Sequence, residues 1–268
     1  MPSKAKKDRK WAVILGASSG FGAATAIELA KSGLNICGIH FDRRSTMPAV
    51  RKVQSKIRAE GSKALFFNMN AADAGKREDA LKQLKKEAKG LRQPVKLLMH
   101  SLAFGSLVPF VADKKEEGII SKQIDLTLDV MANSLVYWTQ DLVHNKLMGS
   151  GGQIVSMTSA GGHRVWPTYG AVSAAKAALE SHTRQLAIEL SKKKIAVNCI
   201  QAGVTDTPAL RKIPGSDKMI ETALRTNPGG RLTKPQDVAK IITMLANSST
   251  SWLTGNVIRV DGGEDITG

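Results

Sequence analysis

Only two cysteines occur in this chain, Cys37 and Cys199. Both fall in apolar, strand-like runs, so they read as buried reduced thiols rather than a disulfide framework, and a soluble cytoplasmic protein is the expectation. Long apolar runs are missing too. The stretch 11–15, which follows a basic N-terminus, is far too short to cross a bilayer, which takes about 20 residues, and no signal-peptide pattern accompanies it. No membrane partner is therefore expected. Acidic residues are in deficit, 23 Asp and Glu against 39 Lys and Arg, for a net charge of +16. The excess is spread over 4–10, 82–89 and 192–194, and Lys82, Lys85, Lys86 and Lys89 lie at helical spacing on one solvated face. No zinc-finger, helix-turn-helix or aromatic-interleaved pattern goes with it, so the charge suits an anionic substrate or carrier, and no nucleic acid is expected. Phenols are rare as well: Tyr137 and Tyr169 are the only tyrosines.

What is present is a regular alternation. Short β-branched or apolar runs at 12–15, 35–41, 64–69, 97–101, 153–158, 195–201 and 256–260 read as strands. Helical periodicity fills 22–32, 48–60, 77–89, 126–147, 173–190 and 235–247. This order predicts an α/β fold, a Rossmann-like, doubly wound parallel sheet with helices on both faces. There is no internal repeat, linker or composition break, so residues 11–268 read as one domain behind a basic tail, 1–10.

The first strand leads straight into Gly16-Ala17-Ser18-Ser19-Gly20-Phe21-Gly22, which opens a helix. Glycines there let the backbone turn tightly and approach a pyrophosphate resting on the helix N-terminus. The end of the second strand bears on the cofactor. An acid there would bond the adenosine ribose of NAD, whereas arginines would accept the 2′-phosphate of NADP. His40 holds the place of the acid and Arg43 and Arg44 follow, which favours NADPH over NADH. A strand end two residues later would instead make Asp42 the ribose acid.

The spacing Gly-x3-Gly-x-Gly resembles the short-chain dehydrogenase/reductase family, and the resemblance spans nearly the whole chain. It implies that Asn70, with Asp73, contacts adenine, and that Val204, Thr205 and Thr207 in Ala202-Gly203-Val204-Thr205-Asp206-Thr207 clasp the nicotinamide. The closing segments Leu253-Thr254-Gly255-Asn256 and Val260-Asp261-Gly262-Gly263 also look like that family. Ordinary members pair Tyr with Lys at Tyr-x3-Lys. Here Val172 lies four residues before Lys176, and the nearest phenol gives Tyr169-x6-Lys176. Ser159 keeps the expected distance to Lys176, while Met131 replaces the usual helix Asn, with Asn133 two residues away. Tyr-x6-Lys resembles the enoyl-acyl carrier protein reductases, and His100-Ser101-Leu102-Ala103-Phe104 is similar to their segment after the fourth strand. The glycine motif is the ordinary short one, as in the smaller subgroup of those enzymes.

The resemblance implies NAD(P)H-dependent reduction of the C=C bond of an enoyl thioester. Tyr169 would hydrogen-bond the enolate oxygen, Lys176 would hold the nicotinamide ribose, and Ser159 would assist. Ser101, Leu102 and Ala103 would line the cofactor. His100 and His163 read as backbone-positioning residues. The implied substrate is carried by acyl carrier protein or CoA, and the acidic carrier would meet basic candidates among Lys192–Lys194, Arg211, Lys212 and Arg225. Residues 208–228, with Leu210, Ile213, Met219, Ile220, Ala223 and Leu224, read as an apolar substrate lid. The family also implies a homotetramer built through 126–147 and 173–190. Other short-chain reductases, acting on a ketone, hydroxysteroid or dienoyl thioester, form the alternative.

Overall fold

The computed structural model describes residues 9–267. The basic tail expected at 1–10 thus lies mostly outside the described residues. Seven parallel strands form one sheet among these residues: β1 (Trp11–Leu15), β2 (Asn35–His40), β3 (Ala64–Asn68), β4 (Val95–His100), β5 (Gln153–Ser159), β6 (Ala196–Ala202) and β7 (Val257–Val260). Their order is β3-β2-β1-β4-β5-β6-β7. The Rossmann-like, doubly wound α/β sheet expected from the alternation is the fold observed.

Strand burial explains the sheet's two covers. Trp11, Val13 and Leu15 face one core and Ala12 and Ile14 the other, all nearly inaccessible. This alternation is what a strand buried on both faces requires. On the first face pack α3 (Ala74–Glu87), α5 (Ser134–His144) and α6 (Gly170–Leu190), through residues such as Leu84, Trp138 and Leu179. On the second pack α1 (Gly20–Lys31), α2 (Met47–Ala59) and α8 (Pro235–Asn247), through Leu29, Ile57 and Ile242. Each fully buried aliphatic side chain contributes about 1.5–3 kcal/mol. Cys37 and Cys199 are free and buried, and burial pushes their thiols up to about 12 and about 11, so both stay protonated and unreactive.

Element boundaries depart from the sequence expectation in three informative places. Helix α3 starts three residues early because the Asp73 carboxylate caps it, accepting from the Lys76 amide at 3.0 Å. The single helix expected over 126–147 is α4 (Ser121–Leu128), a π turn (Asp129–Asn133) and α5, ending near Lys146, whose φ is +57°. Helix α6 starts at Gly170, three residues earlier than periodicity suggested, with Tyr169 as its N-cap residue. A further helix, α7 (Ser216–Thr226), occupies the expected lid. No helix among the described residues is long and apolar enough to cross a membrane.

Because β1 is flanked by β2 and β4, the connections diverge between β1 and β4. The crevice at their C-terminal ends is where doubly wound sheets bind ligands.

Candidate active site and dinucleotide cradle

At that crevice the glycine loop is pinned by two amides, Gly16 and Ala17, both donating to the Ile39 carbonyl at 2.8 and 3.0 Å. Gly16 has φ +89°, and a Cβ there would run into the Ser101 carbonyl and lie 3.6 Å from Leu102 Cδ2. A Cβ on Gly22 would strike the Gly16 carbonyl. The cradle therefore admits only glycine at these two positions, and it brings Ser101 and Leu102 against the loop. Across the crevice, Thr207 lies 3.6 Å from a Cβ position on Gly20. The loop after β6 thus meets the loop after β1. At the start of α1 the Ser19 side chain makes no capping bond and the first turn carries no acid, leaving amide N–H groups for an anion. A cradle that excludes side chains, an uncapped helix N-terminus and the strand switch point together fit a dinucleotide.

At the rim of this cradle, the Asp42 carboxylate accepts from Thr46 Oγ1 at 2.8 Å and pairs with His40 Nδ1 at 3.0 Å. Burial would raise its pKa, but bonds from Ser18, Thr46 and His40 hold it below the usual range. His40 itself is lowered, mainly by burial, against the opposing pull of Asp42. Arg43 and Arg44 are exposed. The expected adenine residue, Asn70, uses its Oδ1 to accept from the Ala72 amide at 3.0 Å, shaping the turn before Asp73.

The second half of the site is built by β5 and α6. The Tyr169 ring lies over Gly161, where a Cβ would come within 2.6 Å of Cε1 and 3.2 Å of Ser159 Oγ. The Ser159 hydroxyl is buried beside the phenol without a well-formed hydrogen bond. Burial raises the phenol's pKa above its ordinary value, and Ser159 offsets a part of that. Lys176 lies about two turns into α6, 7% exposed, with Nζ donating to the Met157 carbonyl at 2.7 Å. Burial pulls its pKa down to about 8, opposed by Cys199 and Glu180. Val172, at the place of the ordinary tyrosine, is buried. Tyr137 is elsewhere, its hydroxyl donating to Asp129 Oδ1 at 2.9 Å. Of the two phenols, Tyr169 is the one beside Ser159.

Both histidines without an obvious partner in the sequence have one in the fold. His100 meets Ser134 Oγ at 2.8 Å, and burial drives its pKa down to about 3, so the ring is neutral. Ser134 gives its proton to the Val130 carbonyl at 2.8 Å, which leaves His100 Nε2–H as the donor. His163 meets both Asp265 oxygens at 3.1 Å. Asn133 accepts from His182 Nε2 at 3.0 Å, bracing the π turn against α6. Among the basic candidates, Arg211 is already engaged by Asp206 at 2.7 Å and Asp217 at 2.6 Å.

Sequence reasoning missed three residues here. Thr168, just before Tyr169, has φ +64°, a backbone state that β-branched residues avoid, and its hydroxyl is buried without a partner. Glu264 accepts from the Val204 amide at 3.0 and 3.2 Å. Asp265 gathers the β5–α6 loop. An acidic pair directly after Val260-Asp261-Gly262-Gly263, in a chain short of acid, was the available signal for the last two.

This fold, cradle and Tyr–Lys helix define a dinucleotide-dependent oxidoreductase. The chain belongs to the short-chain dehydrogenase/reductase family, and residues 16–264 match the family model described as enoyl-(acyl carrier protein) reductase. It is 28% identical to the 3-oxoacyl-[acyl-carrier-protein] reductase of Thermotoga maritima, over 95% of this chain and 97% of that protein. It is 30% identical to the NADH-dependent enoyl-[acyl-carrier-protein] reductase of Aquifex aeolicus, over 71% of this chain and 70% of that protein. The crystal structure of the enoyl-[acyl-carrier-protein] reductase (NADH) from Aquifex aeolicus superposes with TM-score 0.81 at 25% identity, covering 97% of each chain. One relative is named for reducing a ketone and the other for reducing an enoyl group, at nearly equal distance.

Proposed function

We propose that the protein is an NAD(P)H-dependent enoyl thioester reductase, saturating the trans-2 C=C bond of an acyl group on acyl carrier protein or CoA in fatty acid synthesis. The placement of the phenol carries this reading. Tyr169 caps α6 seven residues ahead of Lys176, and the ordinary tyrosine position is filled by the buried Val172. Displaced by about one helical turn, the hydroxyl faces a different substrate atom from that of a ketoreductase.

Reduction adds hydride to the β-carbon and develops enolate charge on the thioester oxygen, and the α-carbon then takes a proton from solvent as the enolate collapses to the saturated thioester. The bound reduced nicotinamide supplies the hydride. Tyr169, held protonated by burial, donates a hydrogen bond to that oxygen, a stabilisation of about 3–4 kcal/mol for a well-placed donor. Ser159 orients the phenol. Lys176 binds the nicotinamide ribose hydroxyls, and Gly16, Ser18, Ser19, Gly20, Phe21 and Gly22 hold the pyrophosphate. Ser101, Leu102, Ala103, Val204, Thr205 and Thr207 line the nicotinamide half, and Asn70 meets the adenine. NADPH is the favoured cofactor: Arg43 and Arg44 are exposed and form no ion pair with another described residue, while the neighbouring Asp42 is engaged by three side chains. Residues 208–228 close over the acyl chain, the positive surface meets the acidic carrier, and the working form is a homotetramer in the cytoplasm.

The proximity of Ser159 to Tyr169 also suits ketone reduction, so the test carries both substrates. Purified protein is given crotonyl-CoA or acetoacetyl-CoA with NADPH or NADH, and nicotinamide oxidation is followed. The expected result is oxidation of NADPH by crotonyl-CoA, with kcat falling about a hundredfold or more in Tyr169→Phe. Turnover of acetoacetyl-CoA alone would replace the enoyl reading with the ketone one.

A further inference from the structure

The Asp265 carboxylate joins the C-terminal turn to the loop that delivers Tyr169. Its side chain is only 4% exposed. It accepts from His163 Nε2 and Arg259 Nε, both at 3.1 Å, and forms an ion pair with Arg164, whose Nε lies 3.0 Å away and whose guanidinium donates to the Asp265 carbonyl at 2.8 Å. The turn is fixed from below by Asp261, whose carboxylate accepts from the amides of Gly263 and Asp265, both at 3.0 Å. Burial by itself would raise the Asp265 pKa, but bonds from Gln201 and His163 and the charges of His163 and Arg164 keep it below the usual range. A nearly buried, ionised carboxylate with this many donors costs far more to disturb than an exposed ion pair.

The clamped loop starts at Ser159 and ends at Thr168 and Tyr169. Left-handed backbone at a β-branched residue is strained and persists only where its surroundings enforce it. Two bonds restrain the loop from its other side: Ser173 Oγ donates to the Gly161 carbonyl, and Trp166 Nε1 donates to the Pro214 carbonyl at 3.1 Å. Asp265 supplies the restraint in the middle. The adjoining Glu264 holds the Val204 amide, and Asn227 Nδ2, at the end of α7, donates to the Asp261 carbonyl at 2.8 Å. One short turn therefore ties together the phenol's loop, the segment after β6 and the end of the lid helix.

We propose that Asp265 is a positioning residue: by clamping His163 and Arg164 it holds the loop 159–168, keeps Thr168 in its left-handed backbone and so sets the Tyr169 hydroxyl. This rests on the role given to Tyr169 above, and the experiment has one arm that does not. Full-length Asp265→Asn, Asp265→Ala and Asp265→Glu are compared with wild type for kcat and KM on crotonyl-CoA and for the rate of tryptic cleavage at Arg164–Val165. Val165 is 95% exposed, and the Arg164–Asp265 contacts are the ones that hold the residue on the other side of that bond. In Asp265→Asn the expected result is cleavage at Arg164 about fivefold faster or more, with cleavage at Arg184 unchanged. The same variant should lose about tenfold or more in kcat with KM changed less than about twofold, as misplacement of a reacting group does, and Asp265→Glu should recover part of it. Unchanged kcat in Asp265→Asn and Asp265→Ala, or an unchanged cleavage rate at Arg164, would overturn the proposal. A wild-type protein inert toward crotonyl-CoA would sink the enoyl reading alone, and cleavage at Arg164 would still decide whether the clamp exists.

Discussion

At the scale of single residues, the site is held by groups whose protonation is set by burial. His100 ends β4 beside the crevice, donates to Ser134 and is kept neutral down to about pH 3, against an ordinary value of 6.5. Between those two values the unfolded chain binds a proton there and the folded chain does not. Stability should therefore fall as pH drops from 6.5 toward 3, by about 1.4 kcal/mol per unit from this residue, with no contribution above 6.5. Urea midpoints measured from pH 7 to 4 should slope less steeply in His100→Gln than in wild type; equal slopes would remove His100 as the cause. Burial lowers the pKa of Lys176 as well, but there the loss comes as pH rises. Its pKa of about 8 means that the cation expected to grip the ribose is lost as pH rises through that value. Cofactor affinity should weaken above about pH 8, which a titration of NADPH binding between pH 7 and 9 would read. Tyr169, Lys176 and the glycines were legible as candidates because their spacing resembles a family pattern. Thr168 was not, since nothing in a threonine announces left-handed backbone; the loop around it imposes that state.

At the scale of elements, the start of α6 and the lid matter most. Beginning at Gly170 instead of Ser173, α6 takes Tyr169 as its N-cap, and this decides where the phenol points. Periodicity could not locate that start, because Gly170 and Ala171 carry no amphipathic signal. Helix α7 buries only Ser216 and Ala223, and Arg211 ties its first turn to the preceding loop. With so few apolar contacts it belongs to the low-stability end of the molecule. Limited trypsin digestion should cut at the exposed Lys218 and Arg225, and saturating NADPH should slow that cutting several-fold if the segment closes over the bound cofactor. Equal rates with and without NADPH would show that 208–228 is no lid.

At the scale of the whole molecule, one edge of the sheet is left unfinished. Strand β7 is only four residues long, with Val257 38% exposed, and around it Met244, Trp252 and Leu253 are exposed at 61, 93 and 42%. Open strand edges and clustered apolar side chains are tolerated where another copy covers them. The proposed tetramer would use this edge as well as the helices expected from the sequence, where Leu126 and Ile188 are 43 and 72% exposed. Sedimentation velocity should show a species well above the 28.7 kDa chain, shifted toward smaller forms in Trp252→Glu. A wild-type monomer at micromolar concentration would refute the assembly.

The order of strands and helices, the glycine cradle, the buried thiols and the seven-residue separation of Tyr169 from Lys176 were determined by the sequence, because each depends on local periodicity or on fixed spacing within one strand–loop–helix unit. Contacts between segments far apart in the chain were decided only by the tertiary structure. Asp265 lies 101 and 102 residues from Arg164 and His163, Glu264 lies 60 from Val204, and Ser134 lies 34 from His100. Their meeting depends on how seven strands stack and twist, since a charge or a hydroxyl finds its partner only after the hydrophobic cores have set the distance between the elements that carry them.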